Sequence, residues 1–230
     1  MQFSHYDEIW RDFPDLVPGV LYAEGITASA AVADRIAVFE ARARARLDGI
    51  SEGELPEVQA WRRTFAKMGL KPTQYRCASE ALLRRFRKEG SLPPIHPLID
   101  LCNALSLAFA IPIAVFDVAR IADFLQVRPA SGQEVYMTFS GEAEHPEAGE
   151  VVFADAAGRA HARRWTNRQS GESAVREQTR SVLIVAEALH EHAAEDVPQL
   201  VATLAEELAR LWSCTPSRAI LARHTPRFSF

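Results

Sequence analysis

Asn103 is a lone amide within the apolar stretch Pro97 to Phe109, and Glu134 follows a Ser131-Gly132 turn at the start of a strand. A buried amide costs free energy unless its donors and acceptor are paired. Asn103 therefore either caps a neighbouring loop or lines a pocket. Asp155 ends the run Gly149 to Asp155 just before Gly158 and reads as the residue of a turn. Basic residues gather twice: Arg84, Arg85, Arg87 and Lys88 near one helix end, and Arg163, Arg164 and Arg168 around Trp165. Gly90 ends a helix just past the first set, which suits a solvated face or cations at a helix C-terminus. The second set is the better candidate for RNA contact, because a tryptophan flanked by arginines is not ordinary solvated surface.

Other chemistries lack their residues. His190 and His192, with Glu187, Glu191 and Asp196, suggest a metal, but residues two apart on a helix do not share a face. No metal is expected. The serines of Arg168 to Ser173 form no Gly-x-Ser-x-Gly elbow, and no Gly-rich loop could cradle phosphates. Cys77, Cys102 and Cys214 lie far apart without metal spacing, and Cys102 reads as a buried thiol. No cofactor is expected.

The elements that must hold these residues can be read from their spacing. With 230 residues, 48% hydrophobic and 24% charged, the chain has the composition of an ordinary globule with a substantial core. A formal net charge of −4 argues against a general nucleic-acid binder and leaves RNA contact to local patches. The longest apolar run, Ala104 to Phe116, is too short to span a bilayer. The acidic, aromatic N-terminus lacks a signal-peptide core, so the expected location is the cytoplasm.

Val17 to Ile26 reads as a strand, and Ala28 to Asp48 as a helix stopped by Gly49. Pro56 opens a second helix that Gly69 closes, Ser79 to Glu89 forms a third, and Pro97 opens a fourth. The fourth carries the stripe Leu98, Leu101, Leu105 and Phe109. After Pro112 come short runs between Gly, Pro and Asp turns: 113–116, 124–127, 134–139, 150–154 and 159–163. Two long helices, Ala174 to His192 and Val197 to Trp212, are expected to close the chain. Asp196 would cap the last, and Leu200, Leu204, Leu208 and Leu211 would stripe it. The expected fold class is α+β, with helices packed around a multi-stranded β core. One domain is expected, with an N-terminal part (1–68), a core (69–172) and C-terminal helices and tail (173–230).

Pro93 to Asp117, "PPIHPLIDLCNALSLAFAIPIAVFD", and Val127 to Glu134, "VRPASGQE", resemble the editing (B-three/B-four) domain of the phenylalanyl-tRNA synthetase beta subunit. That family reads Asn, two residues, Val-Asp, two residues, Asn, then Gly-Gln-Pro-Leu-His-Ala-Phe-Asp. Ile99-Asp100, Asn103, Pro112 and Phe116-Asp117 stand at the matching spacing. Arg128, Ala130 and Glu134 follow its Val-Arg-x-Ala and Gly-Glu, with Gln133 as one extra residue. "GLKPTQYRCASEALLRR", from Gly69, and "RRWTNRQS", from Arg163, are similar to free-standing relatives of the domain. The resemblance thus runs from about Gly69 to Thr179. Four positions depart: the family's histidine is Ala114, its Gly-Gln is Ala110-Ile111, and its opening asparagine is His96.

The resemblance implies that Asn103 orients substrate or water in an editing pocket, and that Glu134 reads the amino acid's ammonium or hydroxyl. Arg128 would pair with that carboxylate or face the tRNA acceptor end, and Asp155 would sit at a strand end beside the pocket. Arg163, Arg164 and Arg168 with Trp165 would grip terminal phosphates and stack on a base. The implied partner is an aminoacylated tRNA, with no DNA and no membrane. The implied function is a trans-editing hydrolase of translation quality control that deacylates mischarged tRNA without a metal. Such an ester is already activated, so a positioned water, a dry pocket and oxyanion donors suffice. The alternative is a non-catalytic module that binds tRNA, an amino acid or a protein, which Ala114 and the negative charge favour. Leu200, Leu204 and Leu208 would pack on the domain or pair with a second copy as a homodimer.

Overall fold

Apolar spacing and proline starts set the first half of the chain. The computed structural model describes residues 1–230 and begins β1 (Gln2–His5), α1 (Asp7–Asp12), β2 (Val17–Glu24) and α2 (Ala33–Arg46). Then come α3 (Pro56–Lys67), α4 (Ala78–Glu89) and α5 (Pro97–Phe109), with Pro56 and Pro97 each at a first helical position. His96 caps α5: its Nδ1 accepts from the Leu98 N–H at 3.2 Å, the service an asparagine gives elsewhere. Ala110, at the family's glycine position, ends α5 with φ of 57°, a left-handed value that favours glycine.

The second half is β-rich: β3 (Ile113–Asp117), β4 (Phe124–Pro129), β5 (Val135–Met137), β6 (Ala143–Glu144), β7 (Val151–Asp155), β8 (Arg159–Arg163) and β9 (Arg168–Gln169). The chain closes with β10 (Ser181–Ala188), α6 (Ala193–Trp212), β11 (Ser217–Ile220) and β12 (Arg227–Ser229). The inner sheet is antiparallel, in the order β11-β2-β10-β3. The outer sheet runs β12-β1-β4-β7-β8-β5-β6, with β9 also on β8. The fold is α+β, as the sequence implies.

One expected helix is wrong. The segment Ala174 to His192 forms turns and then β10, the strand between β2 and β3. Alanine, leucine and glutamate favour a helix there, but Val182 to Val185 are buried on both sides of the sheet. A strand covered on both faces reads as a continuous apolar run and loses the alternation that would announce it. Val182, Ile184 and Ala186 pack with α5 and α6, while Leu183 and Val185 join Phe3, Trp61, Phe153 and Trp165 on the other side.

Only one long helix therefore follows β10. His192, not Asp196, holds the N-cap of α6, and Asp196 lies in its first turn. Leu200, Leu204 and Leu208 are fully buried in the core. The stripe is committed to the chain's own interior and offers no face for a homodimer. Close packing of α6 is sharpest at Gly19 of β2, where an added Cβ would lie 2.7 Å from Val197 Cγ1 and closer still to Val201 Cγ2. Gly19→Ala should therefore cost about 1–3 kcal/mol, seen as a lower urea midpoint at unchanged slope. An unshifted midpoint would show that α6 has room to move. No helix is long and apolar enough to cross a membrane.

Candidate functional site

The polar residues picked out by spacing do not converge on one place. Glu134 is buried, and five donor contacts meet its two oxygens. They come from the Ser131 and Gly132 N–H groups, the Ser131 hydroxyl and Arg128 Nη1, the last at 2.6 Å. A carboxylate has about four lone-pair sites. Glu134 is therefore the clamp of the turn between β4 and β5, and it has no acceptor left to read a substrate. Of the two roles open to Arg128, the structure takes the pairing.

Burial pushes the Glu134 carboxyl up, but hydrogen bonds from Ser131 and Arg128 outweigh it and bring it down to about 2. The folded value lies below the ordinary 4.5, so the carboxylate stabilises the fold above that pH and stops doing so as pH falls towards about 2. Glu134→Gln should cost about 1–3 kcal/mol near neutral pH and flatten the acid limb of stability. Urea midpoints against pH measure this, and an acid limb identical to the parent's would contradict it.

Asp155 is the turn residue its position suggests. It is buried and accepts from the N–H groups of Ala122, Ala157 and Arg159, and from Arg159 Nε at 2.8 Å. Burial raises its pKa, but His161 and these donors hold the carboxyl far below the usual range. His161 Nε2 lies 3.2 Å from Asp155 Oδ2, and its Nδ1 is 2.9 Å from Ser173 Oγ. This Ser-His-Asp row is sealed in the interior, with Ser173 and His161 at 0% exposure. No substrate reaches it, and it ties β7 and β8 to the segment before β10.

Asn103 is half-buried on α5 and lines a cavity with Ile36 and Glu40 of α2, Leu92 to Pro94, and Asp100. Arg128, Glu134 and Asp155 do not line it. The expected pairing of Asn103 with Glu134 in one pocket is not formed, because α5 turns Asn103 towards α2.

The arginine–tryptophan segment is also rearranged. Arg164 and Trp165 both have positive φ, 48° and 55°, two consecutive strained residues of the kind that collect at functional sites. The turn they make sends Trp165 inward, where it is fully buried with ring centroids 5.0 Å from Phe13 and 5.1 Å from Trp61. It cannot stack on a base. Arg163 is buried too, with its charge matched by Glu150 at 2.8 Å and Glu144 at 2.6 Å. Arg164 is half-buried over the Tyr75 ring, and Arg168 is exposed, 3.3 Å from Glu144. A four-residue tRNA grip is therefore not assembled.

The same segment instead walls a cleft between the two sheets. Thr166, Asn167, Arg168 and Gln169 line, with Pro112, Ile113 and Ala114, a narrow cleft with a cavity volume of about 50 Å³. Phe153, Ala162 and Val185 add apolar wall, and Ala78 brings in the first residue of α4. Hydrogen bonds fix the polar wall: Asn167 Nδ2 donates to the Arg76 carbonyl, the Ala78 N–H to the Thr166 carbonyl, and Gln169 Nε2 to the Val115 carbonyl. Thr166 Oγ1 is buried with no partner.

Glu187 of β10 lies on this cleft, 2% exposed. Its carboxylate accepts from His5 Nε2 at 2.6 Å and Trp165 Nε1 at 3.0 Å, and its carbonyl from Trp61 Nε1 at 3.3 Å. Two of about four lone-pair sites remain free for a ligand. A negative charge held rigidly in an apolar cleft selects a cationic or N–H-bearing group. Sequence reasoning missed this role for Glu187 and missed His5 altogether. The available signal was a single acid inside the apolar run Val182 to Ala188.

An α+β fold of two packed sheets, with a small apolar cleft floored by one carboxylate, is the class of protein this geometry defines. The family model described as B3/4 domain matches residues 60–199, more than half of the chain, and the chain belongs to that family. It is 33% identical over 74 residues to the phenylalanine–tRNA ligase beta subunit of Cereibacter sphaeroides. That match covers 32% of this chain and 9% of the relative, so the chain spans less than a tenth of the length of that protein. A solved N-terminal fragment of the phenylalanyl-tRNA synthetase beta subunit from Pyrococcus horikoshii is similar with a TM-score of 0.48 and 9% identity. The likeness covers 95% of this chain and 54% of the fragment.

Proposed function

We propose that this chain binds the aminoacylated end of a tRNA and hydrolyses the ester in the cleft between its two sheets. The observation that carries the reading is the buried Glu187 carboxylate on the cleft, which Ala114, at the position of the family's histidine, also lines. An apolar wall of Phe153, Ala162 and Val185 suits an amino-acid side chain, and Glu187 suits its ammonium group. The first turn of α4 opens on the cleft at Ala78, and its N-terminal partial charge favours a developing oxyanion. Thr166 Oγ1 is buried beside the cleft without a partner and would need a small rotation to meet a water or the ester. Ala114 in place of histidine leaves room for that water.

In this reading Glu134 and Asp155 hold the scaffold, Asn103 lies outside the cleft, and Arg168 at the rim meets a phosphate. The tRNA is inferred from the relative, a phenylalanine–tRNA ligase beta subunit. The expected location is the cytoplasm, where tRNA is charged. Ala114 also favours a second reading, in which the cleft binds the aminoacyl end without cleaving it.

Ala114→Trp tests the choice of site, since an indole would fill the space. Loss of deacylation with an unchanged urea midpoint is expected. Deacylation that persists in that variant would move the chemistry elsewhere.

A further inference from the structure

Glu57, His190 and Asp196 meet at one point, a potential ligand atom of each lying within 4.8 Å of the other two. They come from the first turn of α3, the link after β10 and the first turn of α6, and none of them lines the cleft. Glu57 and His190 are 6% and 5% exposed. Glu57 Oε2 and His190 Nδ1 are buried with no hydrogen-bond partner. The remaining polar atoms are satisfied: Glu57 Oε1 accepts from Arg46 Nη2, and His190 Nε2 is 2.9 Å from Asp196 Oδ2. A buried carboxylate oxygen and a buried ring nitrogen without partners are costly. A cation beside Glu57 Oε2 removes the carboxylate's share of that cost and meets His190 through Nε2, the ring nitrogen that faces Asp196.

We propose that this cluster binds a divalent transition-metal ion of the Zn²⁺ class through one imidazole nitrogen and two carboxylate oxygens. Imidazole with carboxylate is a donor set that suits such ions, and three protein ligands leave one position for water. Ligand bonds of about 2.0–2.2 Å put tetrahedral donors roughly 3.3 Å apart. The ligand atoms, now within 4.8 Å of one another, would have to draw in to that spacing on binding the ion. Two carboxylates beside Arg46 and a neutral imidazole leave a net charge of −1 for the ion, and Arg46 orients Glu57 from outside as an outer-shell partner does.

The ion would fasten α3 to the end of β10. Trp61, one turn beyond Glu57 on α3, donates to the Glu187 carbonyl, so the clip also steadies the floor of the cleft. Sequence spacing argued against a metal because His190 and His192 were placed within one helix. The third ligand instead lies more than a hundred residues away, and His190 is not helical.

The test is Zn²⁺ binding to the full chain, treated with chelator and then dialysed against Zn²⁺, with Co²⁺ absorption reporting the ligand geometry. One Zn²⁺ per chain, a higher Tm with Zn²⁺, and affinity at least roughly tenfold weaker in both Asp196→Asn and His190→Gln are expected. Asp196 is about a third exposed, so its variant keeps the fold even where His190→Gln does not. Absence of stoichiometric binding to the parent chain, or an affinity unchanged in Asp196→Asn, would overturn the site. These readouts use no tRNA and stand or fall apart from ester hydrolysis in the cleft.

Discussion

Glu187→Gln is expected to lower ester hydrolysis by about 10²-fold or more while leaving the cleft open. The amide keeps the shape and an acceptor oxygen for one of the His5 and Trp165 donors, but removes the charge that holds a cationic group. Glu187→Ala should go further. It leaves His5 Nε2 and Trp165 Nε1 buried without an acceptor, at about 1–3 kcal/mol each. Activity and unfolding midpoint therefore fall together in the alanine variant, whereas the glutamine variant loses mainly activity. Steady-state kinetics beside urea unfolding separates the two. A glutamine variant with parental kcat/KM would remove Glu187 from the chemistry.

The largest stability effect belongs to Asp155. Asp155→Ala should cost about 3–5 kcal/mol, because it strips the nearer of two carboxylates from Arg159 and the acceptor from three backbone N–H groups at once. Its folded pKa is depressed, so the carboxylate stabilises the protein above its ordinary value of 3.8. That contribution fades as pH falls through the lower folded value, and the alanine variant should lack this part of the acid limb. Urea midpoints at neutral and acid pH check both statements. A loss under about 1 kcal/mol would mean that water replaces the carboxylate in the turn.

Local features announced much of the fold. Pro56 and Pro97 at helix starts, the stripe from Leu98 to Phe109, and the short runs after Pro112 all rest on interactions within a few residues. The family motif at Asn103 and Phe116-Asp117 also read correctly as a resemblance, and the matched family bears it out. Strand β10 did not announce itself, because burial on both faces erased its alternation.

The candidate site failed to show for a different reason. His5 and Glu187 are separated by 182 positions, so no local pattern pairs them. Residues of the segment Arg163 to Ser170 line the cleft, whereas their charge and aromatic content suggested an RNA surface. Two left-handed residues, Arg164 and Trp165, reverse the chain there and put the tryptophan inside. Backbone conformation of that kind has no compositional mark when the residues are not glycine. Asn103 lines a cavity, but one it does not share with Glu134, since spacing alone does not say which neighbour an amide on α5 meets.

The most direct measurement is single-turnover release of amino acid from a panel of matched and mismatched aminoacyl-tRNAs by the parent chain and Glu187→Gln. Rapid release from one mismatched class by the parent, with release slowed about 10²-fold in the variant, is the expected result. No release above the spontaneous rate from any member, or equal release by both proteins, would contradict hydrolysis in the Glu187 cleft.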